Sequence, residues 1–137
     1  METLNLVVHL DPRTKKNHQT IAGRGPRCPV CRKPFTQFVR QGPAYDEYAS
    51  AAKGILQRYR IPQINTPVNI EYRFYMKTHR KVDALNLAAA MDDILVAAWI
   101  LQDDNSSIVM GHDGMRVYYD KENPRTEITI TPFEEDV

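Results

Sequence analysis

The chain has 137 residues, and its 18 Lys and Arg nearly balance 17 Asp and Glu, which leaves a formal net charge of +1. This length suits a single domain over residues 1–137 and excludes two full cores. A hydrophobic fraction of 42% with seven Tyr excludes a wholly disordered chain. The near-zero total also excludes a uniformly basic protein that binds nucleic acid through bulk charge.

The predicted elements of the first half are a strand, a long basic arm, a helix and a second strand. Leu4–Leu10 is rich in branched apolar residues and predicts a strand. Residues 12–43 contain Pro, Gly, Lys and Arg with almost no apolar periodicity, which predicts a basic loop or arm. Apolar spacings of four, three and four predict a helix over 44–60. The strict alternation of 68–77 predicts a strand with one buried face.

The second half predicts one more helix and three short strands. Ala84 to Trp99 is rich in Ala, Leu and Met, as helices are. Ile108–Met110, Met115–Tyr119 and Thr126–Thr131 indicate strands, and Gly111–Gly114 indicates a hairpin turn between the first two. The order β-α-β-α-β-β-β predicts an α+β domain, with a mixed, mostly antiparallel sheet and two main helices packed on it.

Charge is divided unevenly along the chain. Residues 1–43 carry eight basic and two acidic side chains, a net charge of +6, and the remainder carries −5. Such asymmetry favours a polyanionic partner for the N-terminal arm, although a solvated loop would have the same composition. The Met1-Glu2 start lacks signal-peptide features, no apolar run approaches a membrane span, and two Cys fit a reducing compartment. We therefore expect a cytoplasmic protein without a membrane partner.

Five carboxylates surround the second helix: Asp83, Asp92, Asp93, Asp103 and Asp104. At 100° per residue, Asp83, Asn86 and Asp93 share one face of a regular helix, and Asp92 falls opposite. Clustered carboxylates disfavour one another unless a cation neutralises them, and Mg²⁺ prefers oxygen ligands. One interpretation is therefore a metal site. The other is structural, with Asp83 as a helix cap and residues 103–105 as a turn.

Residues 80–86, the following helix and the Asp103-Asp104 pair resemble the RusA-type Holliday junction resolvases of phages and prophages. That family has an Asp-x-Asp-Asn motif opening a helix and an Asp-Asp pair after it. Asp83 and Asn86 match the first Asp and the Asn, and Asp103 and Asp104 match the later pair. The resemblance covers roughly residues 65–132 and is loose in the N-terminal third.

Two positions depart from the family pattern. Leu85 replaces the second Asp of the motif, and Ala89 stands where a Lys is often found. The site thus lacks one carboxylate and one cation. Asp93, or alternatively Asp92, would supply a replacement ligand. Otherwise the site is weakened, and the protein binds branched DNA without cutting it well.

The resemblance implies an endonuclease, dependent on Mg²⁺ or Mn²⁺, that nicks opposing strands of a four-way DNA junction as a homodimer. It implies a phage- or prophage-encoded protein in the bacterial cytoplasm, acting in recombination or repair. Catalysis and metal binding would fall to Asp83, Asp93, Asp103 and Asp104, supported by Asn86. The candidate DNA contacts are Lys15, Lys16, Arg24, Arg27, Arg32, Lys33, Arg80 and Lys81.

Cys28 and Cys31 form a Cys-x-x-Cys pair that is typical of one knuckle of a zinc ribbon. Half of the usual ligand set is missing, because the chain has no second pair. His18 or a second knuckle across a dimer would complete a Zn²⁺ site. Two free thiols in a loop are the alternative. A zinc-stabilised interaction protein is accordingly a further hypothesis.

Overall fold

The computed structural model describes residues 2–15, 20–30, 32, 34–40 and 43–133. Within them the elements are β1 (Leu4–Val8), β2 (Thr20–Arg27), β3 (Pro34–Arg40), α1 (Pro43–Gln57), β4 (Val68–Met76), α2 (Ala84–Ala97), β5 (Val109–Gly111), β6 (Arg116–Tyr119) and β7 (Arg125–Pro132). The α+β class, with two helices and a mixed, mostly antiparallel sheet, is confirmed. No helix in this described part is long and apolar enough to span a membrane.

The main sheet is organised around β4. Its five inward side chains are all nearly inaccessible to solvent, and the four between them are half-buried, as the alternating sequence predicts. Strand β7 pairs antiparallel with β4 from Arg125 to Pro132, and β1 pairs antiparallel with the other side of β7. This order places the strands from the two ends of the chain side by side.

The predicted hairpin at 111–114 is wrong. Strands β5 and β6 both run parallel to β4, β5 along Val68–Asn69 and β6 along Arg73–Met76. Because the chain keeps its direction through this turn, the two strands follow one another along the same sheet edge. Asn69 fills the interruption, since its side chain accepts a hydrogen bond from Asp113 N and donates one to Asp113 O.

The basic arm contains two strands that the sequence does not predict. Strands β2 and β3 pair antiparallel in a separate two-stranded sheet, with Thr20 opposite Arg40 and an irregularity between Arg24 and Arg27. Gly, Pro and Arg in β2 hide the alternation that identifies a strand. The order therefore includes a hairpin between β1 and α1 that the predicted order omits.

Both helices contribute to one hydrophobic core with the sheet. Helix α1 buries Tyr45, Tyr48, Ala52 and Leu56, at spacings of three and four. Helix α2 buries a broader apolar face that includes Leu87, Met91 and Leu95. The buried residues of β1, β4 and β7 belong to the same cluster. This packing fixes α2 across the sheet and leaves one stripe of the helix exposed.

Candidate functional site

The chain reversal after α2 brings three of the predicted carboxylates together. Trp99 adopts a positive φ of 64°, and Leu101 then forms a parallel bridge with Ile64. Residues 103–104 thereby return past the helix. Burial, followed by hydrogen bonding with the carboxyls of Asp93 and Asp103, raises the pKa of Asp104. The Asp104 carboxyl therefore lies beside those of Asp93 and Asp103 near the C-terminal part of α2, and we call these three residues the acidic cluster.

A lysine from the N-terminal segment neutralises part of this cluster. The Lys15 ammonium donates a hydrogen bond to Asp93 Oδ2 and lies 5.8 Å from the centre of the Tyr45 ring. Both residues line a cleft of about 440 Å³ between α1 and α2, which Lys53 also lines. Burial, with the nearby charges of Asp93 and Asp46, raises the pKa of Tyr45 to about 12. Two lysines therefore line the cleft, and one of them, Lys15, contacts the acidic cluster.

The three acids of the cluster differ in whether their carboxylate oxygens are already engaged in hydrogen bonds. Asp103 accepts hydrogen bonds from Asp104 N at 2.7 Å and Asn105 Nδ2 at 3.0 Å, so both of its carboxylate oxygens already have a donor. Among the described residues, no three His, Cys, Asp or Glu side chains converge as a metal-binding group. Asp93 and Asp104 remain, and Mg²⁺ is commonly held by one or two carboxylates with waters and substrate phosphates. The Lys15 ammonium already contacts Asp93, and the carboxylate oxygens of Asp93 and Asp104 are donors of the type that Mg²⁺ prefers.

The side chain of Asp92 lies on the buried face of α2, whereas that of its neighbour Asp93 is exposed. It is only 7% exposed and accepts a hydrogen bond from the Tyr72 hydroxyl, and His112 Nε2 lies 3.0 Å from its Oδ2. The His112 ring stacks on Tyr72 at a centroid distance of 5.4 Å. Burial raises the pKa of Tyr72 well above its usual range, and the charges of Asp92 and then Asp104 add to this effect. Asp92 therefore joins α2 to the sheet below the acidic cluster.

Asp83 lies at the opposite end of α2. It is the N-cap, and its Oδ1 accepts a hydrogen bond from Leu85 N at 2.9 Å. Ten residues at a rise of 1.5 Å place Asp83 about 15 Å along the axis from Asp93, so these two carboxylates of one chain cannot bind the same ion. The angular prediction omitted this rise. Asn86 is half-buried in the first turn of the same helix.

The two positions that depart from the family pattern lie on the exposed stripe of α2. Leu85, Ala89 and Asp93 are spaced four residues apart and are all exposed, and Leu85 is 70% accessible. The missing carboxylate and the missing cation therefore belong to the same helix face as Asp93. This stripe connects Asp83 to the acidic cluster.

The predicted basic contacts have varied surroundings. Arg80 donates hydrogen bonds to Asp11 Oδ2, Thr78 Oγ1 and the Pro12 carbonyl, which holds its loop against the end of β1. Lys81 is exposed. Arg27 donates to the Arg32 carbonyl, and Arg32 itself is exposed. Lys16, Lys33 and the side chain of Arg24 lie outside the described residues. DNA contact stays a prediction for all eight basic candidates.

The cysteine pair is only half described. Arg32 N donates to the Cys28 carbonyl at 2.8 Å, which closes a turn, and Cys28 is half-buried. Cys31 and His18 lie outside the described residues. The described part of the chain contains no zinc site, and Zn²⁺ binding stays a prediction.

Sequence reasoning missed four polar side chains near the cluster: Tyr45, Lys53, Tyr72 and His112. Tyr45 and Tyr72 sit at apolar positions of a helix and a strand, and only tertiary packing shows their polar partners. Lys53 carried a weak signal, because it lies eight residues after Tyr45 on the same amphipathic helix. His112 had none, since its partner Asp92 is twenty residues away.

A comparison of the sequence with known protein families identifies the family of this chain. The sequence matches the family model of endodeoxyribonuclease RusA over residues 29–131, which is more than half of the chain. The chain belongs to the RusA family. No curated protein aligns significantly with it. RusA nucleases resolve Holliday junctions and depend on a divalent metal ion, so the expected nuclease class and DNA-binding role are confirmed at the level of the family.

Proposed function

We propose that this RusA-family protein is a Mg²⁺-dependent endonuclease that resolves four-way DNA junctions by paired nicks. It acts as a homodimer on phage or prophage DNA in the cytoplasm of a bacterial host. Residues 1–137 form one domain whose basic arm contacts the phosphate backbone. The observation that carries the proposal is the family match together with the Asp93–Asp104 pair beside Lys15.

Each group near the pair has a distinct task in this proposal. Asp93 and Asp104 would hold the divalent ion, which supplies an activated water and neutralises charge on the phosphodiester. Lys15 exchanges Asp93 for a phosphate oxygen when substrate enters, and Lys53 binds a neighbouring phosphate in the same cleft. Tyr72, Asp92 and His112 keep this part of α2 fixed on the sheet.

Asp83 acts at the other end of the exposed stripe. Its carboxylate caps α2 and faces solvent, so it is available to accept a hydrogen bond from a base amino group of the bound strand. A four-way junction has approximate two-fold symmetry, and a homodimer would present two equivalent stripes to it. Paired nicking follows from that symmetry.

A second candidate function is junction binding with weak or no cleavage. Leu85 replaces a family carboxylate and is 70% accessible on the stripe, and Asp83 is too far from Asp93 to complete its ligand set. A protein of this kind would hold branched DNA through its basic arm. Its binding would depend steeply on salt and little on Mg²⁺.

The test is cleavage of a synthetic four-way junction, with and without Mg²⁺, by the wild type and by Asp104→Asn. The proposal predicts paired nicks by the wild type with Mg²⁺ and none by the variant, with junction affinity retained. Glu2→Gln is the matched control, because Glu2 is an exposed carboxylate before β1 and should leave cleavage unchanged. Junction binding without cleavage in every sample would favour the second candidate.

A further inference from the structure

The sheet edge formed by β6 carries an unusual set of exposed rings. All four residues of β6 are exposed, and Tyr118 and Tyr119 are each 44% accessible. Successive residues of a strand point to opposite faces, so these tyrosines lie on the two sides of the sheet. We call Tyr75, His79, Tyr118 and Tyr119 the aromatic edge. The RusA site described above uses none of them.

On the open face of the sheet, an ordered row crosses three strands. The Tyr75 and Tyr118 rings stack at a centroid distance of 5.0 Å and an angle of 24°. The Arg125 guanidinium lies 3.7 Å from the centre of the Tyr75 ring, and ion pairs to Asp120 and Glu127 hold it there. Tyr118 is therefore the outermost ring of a rigid stack and presents a prepared surface to solvent.

On the other face, Tyr119 stacks on His79 at a centroid distance of 3.7 Å and an angle of 26°. These rings border a shallow groove of about 220 Å³ that Val82 and Val117 also line. Val82 directly precedes Asp83, so the groove opens beside the N-terminal end of α2. A flat group held here would lie next to the exposed stripe of that helix.

Four cationic side chains and one exposed carboxylate, Glu122, border the aromatic edge. Lys77 and Lys81 are exposed on the loop beside His79, and Arg116 and Lys121 are exposed at the two ends of β6. Among the described residues, none of these four forms an ion pair with a carboxylate. The adjacent Asp120 is neutralised by Arg125 at 2.9 Å. Flat rings surrounded by unneutralised cations match a polyanion that carries flat bases.

We propose that the aromatic edge binds unpaired nucleotides of the DNA substrate, with bases stacked on Tyr118 and Tyr119 and phosphates near Lys77, Lys81, Arg116 and Lys121. Aromatic side chains bind single strands without sequence preference, because every base has a stacking face. This inference rests on the proposed function and deepens it, since it specifies open or single-stranded segments next to the cleavage site. A second copy of the chain, paired along β6, is the competing occupant.

The experiment measures the affinity of the full chain for a short fluorescein-labelled oligothymidylate and for a fully paired duplex of equal length, by anisotropy. The variants are Tyr118→Ala, Tyr119→Ala and their combination, with Tyr118→Phe and Tyr119→Phe as ring-preserving controls. Phe133→Ala is the matched control, because Phe133 is 38% exposed at the opposite end of β7. Each alanine should weaken single-strand binding by about 5-fold or more and duplex binding much less.

A second measurement uses the unaltered chain, in case an alanine variant fails to fold. Oligonucleotides with 5-iododeoxyuridine are cross-linked by light, and the linked peptide is identified by mass spectrometry. Cross-links to Tyr118 or Tyr119 support the proposal. Cross-links confined to other peptides overturn it, as does wild-type affinity in the double alanine variant. Conversion of a dimer to a monomer by that variant, with single-strand affinity intact, also overturns it and assigns the edge to a second copy.

Failure of this inference and failure of the proposed function give different results. If the chain cuts four-way junctions but its alanine variants bind oligothymidylate normally, only the aromatic edge is excluded. If no sample cuts DNA while the alanine variants lose single-strand binding, the nuclease proposal fails and the edge remains a single-strand site.

Discussion

The two ends of helix α2 hold acids of the same type in opposite circumstances. At its N-terminal end, Asp83 caps the helix and accepts a backbone hydrogen bond. At its C-terminal part, Asp93, Asp103 and Asp104 lie close together, and burial and mutual hydrogen bonding raise the pKa of Asp104. Ten residues of helix, about 15 Å along the axis, separate Asp83 from Asp93.

The two ends therefore serve different purposes: the acid at the N-terminal end stabilises the fold, and the acids at the C-terminal part are suited to bind a cation. An acid that satisfies an unpaired helix N–H stabilises the fold whether or not a metal is present. An acid held near other acids is unfavourable until a cation arrives, and Lys15 supplies only one positive charge. We therefore infer that the divalent ion belongs to the C-terminal part of α2, and that Asp83 has both a structural and a substrate-facing role.

The largest expected effect is the loss of cleavage in Asp104→Asn. Loss of a group that only supports a metal ligand reduces activity about 10- to 100-fold, and loss of a ligand should exceed that. The melting temperature without metal should stay the same or rise, because the fold disfavours the charged form of Asp104. Junction cleavage and calorimetry check the two parts. Active Asp104→Asn would place the site elsewhere.

The next largest effect is a loss of stability when the buried carboxylate of Asp92 is removed. Asp92→Ala removes the acceptor of the Tyr72 hydroxyl and the partner of His112. A buried hydroxyl without a partner destabilises a fold by about 1–3 kcal/mol, so the free energy of unfolding should fall by that amount. Urea unfolding measures it. An unchanged midpoint would show that this polar group does not hold α2 on the sheet.

Asp83→Ser separates the two roles of the capping acid. Serine is as good an N-cap as aspartate, so the free energy of unfolding should change by only a few tenths of a kcal/mol. Cleavage should nevertheless fall on the order of 10-fold, because the carboxylate is gone from the exposed stripe. Asp83→Ala, which loses both functions, should also lower stability by about 1 kcal/mol. If the serine variant and the wild type cleave equally well, Asp83 has only the role of a helix N-cap.

The smallest expected effect is on the pH dependence of stability and involves Glu127, an acid that pairs with arginines and not with other acids. Partial burial acts to raise the pKa of Glu127, but hydrogen bonds from Arg125 and Arg73 lower it overall. A lowered pKa contributes stability above the ordinary value of 4.5, and this stability is lost as the pH falls further. Arg125→Gln should therefore reduce stability by about 1 kcal/mol at neutral pH, and less below pH 4.5. Thermal unfolding across this range is the measurement, and a pH-independent difference would contradict it.

The sequence predicts the regular elements well where periodicity is strong. Strand β4 alternates along its whole length, and both helices carry apolar spacings, so their bounds agree within a few residues. The hairpin of β2 and β3 was missed because Gly and Pro interrupt its pattern. The 111–114 turn was misassigned because turn residues do not reveal whether the chain reverses or continues along β4.

The site is less predictable, because its contacts depend on tertiary packing. The 100° rule separates the exposed Asp93 from the buried Asp92, but it omits the axial rise that separates Asp93 from Asp83. The approach of Asp104 to Asp93 requires the reversal at Trp99 and the bridge of Leu101 to Ile64. Lys15 reaches Asp93 across 78 residues of sequence, and no local pattern encodes that contact.

The most direct test of the central claim is a crystal structure of the protein soaked in Mn²⁺, with the ion located by anomalous scattering. We predict one peak at about 2.1 Å from carboxylate oxygens of both Asp93 and Asp104, with the Lys15 ammonium displaced from Asp93. A peak bound to Asp83, with the acidic cluster still paired to Lys15, would contradict the account.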